Sequence, residues 1–158
     1  MTTQSHPWKE LLLRHAESLE RLGDPHRWSE ASSVKLEETV VLGFYAVRRL
    51  VNSFLLSDAL VHRPVSMIAF PARRRDSLML GDERLEDLYD LGAGKPVSHD
   101  LVFTCHQVTH NCVFTPWFDP PRTLKGVYVT SDHQRKVALY AMTAETLQAL
   151  FRQVGGDR

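Results

Sequence analysis

Only two cysteines, Cys105 and Cys112, occur in 158 residues, too few for the disulfide framework of a small secreted domain. No apolar run approaches the ~20 residues that cross a bilayer. Met1-Thr-Thr-Gln-Ser lacks the basic start and apolar core of a secretory leader. The expected setting is the cytoplasm, without membrane contact. Net charge is also missing: nineteen basic residues balance nineteen acidic ones, so the total does not favour a general nucleic-acid or membrane-surface binder. There is no Gly-x-Ser-x-Gly elbow, no Gly-rich loop ending in Lys-Ser or Lys-Thr, no internal repeat and no low-complexity segment.

The chain does have the means to build a core. Hydrophobic residues make up 43 % and charged residues 24 %, the balance of a packed globular chain. Its length suits one domain, 1–158, that buries about two-thirds of its unfolded surface.

Residues 1–63 read as helical. Ser5 caps a first helix and Pro7 suits its first turn. Trp8, Leu12, His15, Leu19 and Leu22 follow at helical spacing until Gly23-Asp24-Pro25 stops the run. Ser29, Ser32 or Ser33 begins a longer helix with Leu36, Val40, Phe44, Val47, Val51 and Phe54 as its buried stripe. Ser57-Asp58 starts a short turn that ends before Pro64.

Residues 64–158 read as mixed. Val65–Phe70 is a strand with Ser77–Leu80 as its expected hairpin partner. Asp82–Leu91 is a short helix closed by Gly92-Ala-Gly94. Ser98 caps a further helix over 98–111 with Leu101, Cys105 and Val108 inward and Cys112 as the continuation of that side. Residues 113–118, 125–130 and 136–142 alternate as half-buried strands, and Pro116 places the first at a sheet edge or bulge. Thr143 caps a closing helix whose inner side is Leu147, Leu150, Phe151 and Val154. The expected class is α+β: a helical N-terminal half, then a small antiparallel sheet with a C-terminal covering helix.

The densest chemistry is Cys105-His106-Gln107-Val108-Thr109-His110-Asn111-Cys112. On a helix His106 and His110 share one face, since positions four apart stack above each other. Three readings follow. In the first, Cys105 and Cys112 are small core residues and the imidazoles are partly exposed and hydrogen-bonded. In the second, His106 and His110 bind zinc with a third ligand from Cys105, Cys112 or His99. Gln107 stands where metalloproteases carry the glutamate base, so that site would be structural, and the expected cofactor set is none, with zinc as the alternative.

The third reading comes from a resemblance. The segment from Cys105 to His110, preceded by long helices, resembles HEPN domains, helical modules of toxin and defence ribonucleases. That likeness spans about residues 30–112. It implies metal-independent RNA cleavage by an arginine–histidine motif, with a site commonly completed by dimerisation. The motif is incomplete here: Phe103, Thr104 and Cys105 hold the positions where its arginine would stand before His110. A histidine pair suits the same chemistry, one ring accepting the 2′-hydroxyl proton and the other protonating the leaving oxygen. Arg48, on the polar stripe Glu37, Val41, Tyr45, Arg48 and Asn52, is the arginine expected to complete such a site.

Arg73, Arg74 and Arg75 form the only dense cationic run, readable as a phosphate-contacting loop or as a solvated one. Trp117 and Phe118, beside Asp119-Pro-Pro121, form an apolar shoulder that suits an interface, with Tyr128 and Tyr140 expected on one sheet face. The leading expectation is a small protein-interaction or regulatory accessory subunit of a bacterial-type system, acting on a protein partner or as a homodimer. An RNA-cleaving enzyme using His106, His110 and Arg48 is the alternative, and a zinc-stabilised binding module is the third.

Overall fold

A computed structural model describes residues 5–24, 27–73, 84–120 and 122–157. Helix α1 is His6–Gly23, with Ser5 at its N-cap and Pro7 in its first turn. Helix α2, Glu30–Asn52, opens with a capping box: the Ser29 hydroxyl accepts from the Ser32 amide and the Ser32 hydroxyl accepts from the Ser29 amide, both at 3.2 Å. A short α3, Asp58–Val61, leads to strand β1, Val65–Pro71. Then come α4 (Leu85–Leu88), β2 (Lys95–His99) and α5 (Leu101–Thr109). Strands β3 (Asn111–Asp119), β4 (Thr123–Ser131) and β5 (Ala138–Thr143) complete the sheet, and α6 (Ala144–Gly155) closes the chain.

The sheet order is β2-β1-β5-β4-β3, with every pairing antiparallel. One face carries Met67, Tyr140, Met142, Val127 and Val129, which pack with α1, α2, α5 and α6 in a single core. Phe44 of α2 meets Phe151 of α6 edge-on, with ring centroids 5.3 Å apart. Each such buried ring contributes roughly 1.5–3 kcal/mol. Gly43 permits that approach, since a Cβ there would run into the Phe151 ring. The opposite face carries Phe70, Leu139, Ala141 and Val113, covered by Leu88 and Tyr89. The α+β expectation holds. Pro116 lies on β3, an edge strand with a register shift between Trp117 and Phe118.

Several local expectations are corrected. The helix expected over 98–111 spans only Leu101–Thr109, because Asp100 is its cap, accepting from the Phe103 amide at 2.8 Å. Ser98 instead pairs with Ser66 in the β1–β2 ladder, and Cys112 lies on β3. The expected hairpin partner Ser77–Leu80 lies outside the described residues; β1 is flanked by β2 and β5. Among the described residues of 82–91, only Leu85–Leu88 is helical, since Tyr89 turns extended and bridges Ala72. Tyr128 pairs with Ala141 while Tyr140 pairs with Val129, so the two tyrosines face opposite sides of the sheet.

Phe54 also departs from its expected stripe. Helix α2 ends at Asn52, and Phe54 is 94 % exposed. Its amide bonds the Val51 carbonyl at 3.1 Å, and the Leu55 amide bonds the Leu50 carbonyl at 2.9 Å. Those two bonds make a Schellman ending, which turns the chain before another helical turn can carry residue 54 back to the core.

Candidate functional site

Helix α5 brings His106 and His110 together as its spacing predicts: their ring centroids are 4.8 Å apart. His110 is the C-cap, and its amide bonds the His106 carbonyl at 3.1 Å. A third imidazole joins them. His133, in the turn after β4, stands with its ring centroid 5.3 Å from that of His106. Sequence reasoning treated that turn as a mere connection. The signal lay in strand register: pairing Asn111 with Ser131 sets residues 132–134 beside the end of α5.

Side chains from three other elements or their flanks hold the turn by hydrogen bonds. The buried Gln107 side-chain oxygen accepts from the Ser131 amide at 3.1 Å. Tyr89 donates to the Arg135 carbonyl at 2.8 Å, and Tyr140 donates to the Gln134 side-chain oxygen at 3.0 Å. Gln107, noted in the sequence only as the wrong residue for a metalloprotease base, is a structural link between α5 and the His133 turn.

The proton affinity of His106 is lowered, first by burial and then by the neighbouring charges of His110, His133 and Arg48. Arg48 reaches this region from α2. With Val51, Asn52, Val102 and Cys105 it lines a cleft of about 30 Å³ between α2 and α5, room for a water or two and not for a nucleotide. The structure thus places Arg48 within electrostatic range of His106, while the imidazoles open to solvent outside that cleft.

The zinc ligands do not assemble. Burial pushes the Cys105 thiol up to about 12, which opposes the thiolate a metal requires, and its side chain lines the cleft facing α2. His99 stacks on Phe103 at 3.7 Å and meets Tyr140 edge-on at 5.6 Å, away from the pair. Cys112 donates to the Thr130 carbonyl at 3.6 Å. Both thiols are free. Among the described residues, no three His, Cys, Asp or Glu side chains stand where they could hold a metal ion.

The other expected sites lie apart. Arg73 donates from Nε to the Glu86 carbonyl of α4 at 2.8 Å and faces the Asp90 carboxylate beyond that helix at 3.8 Å. Arg74 and Arg75 lie outside the described residues. Trp117 packs on Tyr128 with Lys125 Nζ 4.4 Å above its ring centroid. Phe118 meets Trp28 edge-on at 5.1 Å on the helical side. The apolar shoulder is therefore divided between the two faces of the sheet. No helix among the described residues is long and apolar enough to cross a membrane. No protein-family model matches the chain, and no significant match is found to a curated protein or a solved structure.

Proposed function

We propose that the protein is a binding subunit whose anchor is Phe54. The carrying observation is that Phe54 holds a left-handed backbone, φ 56°, with its ring 94 % exposed. The Schellman position ordinarily belongs to glycine, and an L-residue there costs roughly 1–2 kcal/mol. Leaving the ring in water forgoes the roughly 1.5–3 kcal/mol its burial would contribute. Folding alone recovers neither, whereas a protein partner offering an apolar pocket would recover the second. The ring follows directly on the end of α2 where Val51 and Asn52 line the cleft, opposite Val102. A photo-crosslinking residue in place of Phe54 should give one discrete adduct in cells, absent when the same residue replaces exposed Lys95. Identical adduct patterns at both positions would remove the reading.

A second reading is favoured by the three imidazoles: metal-independent RNA cleavage, as the HEPN resemblance implies. His106, held neutral by its lowered proton affinity, takes the 2′-hydroxyl proton. His110 or His133 gives a proton to the leaving 5′-oxygen, and Arg48 adds positive field. Purified protein should cleave an RNA oligonucleotide but not its 2′-deoxy counterpart, and His106→Ala should abolish cleavage, as should the double variant His110→Ala with His133→Ala. Unchanged cleavage by either variant eliminates this chemistry.

A further inference from the structure

The outer ridge of α2 is complementary to itself. Glu38, Leu42, Tyr45 and Arg49 recur at intervals of four, three and four residues, the spacing of a coiled-coil seam. All four are exposed, Leu42 by 44 % and Tyr45 by 48 %. The two charges lie three turns apart, and among the described residues neither has an ion-pair partner within its own chain. The stripe reads acidic, apolar, apolar, basic along the helix. Its midpoint falls between Gly43 and Phe44, with Leu42 and Tyr45 equidistant from it and Glu38 and Arg49 equidistant further out.

From this we infer that two copies of the chain associate through α2, antiparallel about that midpoint. Leu42 of each copy then packs on Tyr45 of the other, and Glu38 of each meets Arg49 of the other, as a two-fold interface requires. A parallel arrangement sets Glu38 against Glu38 and Arg49 against Arg49, so charge selects the direction. The basic end is already ordered. Trp8 of α1 meets Tyr45 edge-on at 5.9 Å, and the Arg49 guanidinium stacks over Trp8 at 5.6 Å. Less side-chain freedom is then lost on association. This pairing uses the side of α2 and does not depend on Phe54.

Sedimentation equilibrium of the full chain tests it. The wild type should show a dimer mass. Glu38→Lys and Arg49→Glu should each weaken association about tenfold, because two attractive contacts become repulsive. The double variant, with both charges exchanged, should regain most of that loss, whereas a variant that merely damaged the fold would not. Circular dichroism melts should place all three near the wild type, as the positions are exposed. A monomer at 100 µM, or a double variant no tighter than the singles, overturns the inference. A monomeric protein that still crosslinks through Phe54 would leave the anchor reading intact.

Discussion

At the scale of single residues, the instructive positions are those where a side chain and its local conformation disagree. Phe54 holds a glycine conformation, so Phe54→Gly should raise the unfolding free energy by about 1 kcal/mol while removing the crosslinked partner. A urea titration reads the first effect, and a destabilised variant would show that the ring supports the fold. Gln107 is the converse case, a polar side chain buried for one hydrogen bond. Gln107→Ala leaves the Ser131 amide without its acceptor, at a cost of about 1–3 kcal/mol. It should also loosen the His133 turn, so the proton affinity of His106, measured by imidazole NMR, should rise. His133→Ala should raise it too, by removing one of the charges that oppose protonation. No upward movement in either variant would mean the rings lie further apart in solution.

At the scale of elements, close backbone approach limits substitution more than hydrophobicity does. A Cβ on Gly126 of β4 would run into the Met142 carbonyl and lie 2.8 Å from the Thr143 Cα on β5. Both obstacles are main chain and cannot rotate away. Gly126→Ala should therefore destabilise by about 3 kcal/mol or more, at or above the usual overpacking range, visible as a lowered denaturant midpoint with an unchanged slope. Element boundaries were only partly legible in the sequence. The start of α2 at one of three serines, its stripe as far as Val51, the capping threonine of α6 and the three alternating strands were readable because caps and periodicity are local. Lys95–His99 was not readable as a strand: its pairing with β1 is non-local, and it hands over to α5 within two residues. Phe54 continued the spacing of the α2 stripe, but the helix ended before that position was reached.

At the scale of the whole molecule, pH couples to stability through partly buried imidazoles. His99 and His106 both have proton affinities below the ordinary histidine value of 6.5, mainly because burial opposes their charge. Below that value the unfolded chain binds protons that the folded chain refuses, so folding free energy falls with acidification. The loss should begin near 6.5 and level off once the folded-state values are passed. Replacing His99 with glutamine should flatten part of that slope in a series of denaturant titrations. An unaltered slope would assign the dependence to other groups. The same fold carries the His133 turn to α5 and leaves the outer ridge of α2 uncovered, so the candidate site and the candidate interface both arise at this scale.

The sequence by itself determined the α+β class, the principal helices, the placing of Pro116 at an edge or bulge and the proximity of His106 to His110. Each depends on residues within a few positions of one another. Only the tertiary structure decided that His133 completes the imidazole cluster, that Arg48 lies within range of it while Cys105 turns away, and that Tyr128 and Tyr140 face opposite sides. Those outcomes depend on register between strands and on packing between helices distant in the chain, which no local periodicity encodes.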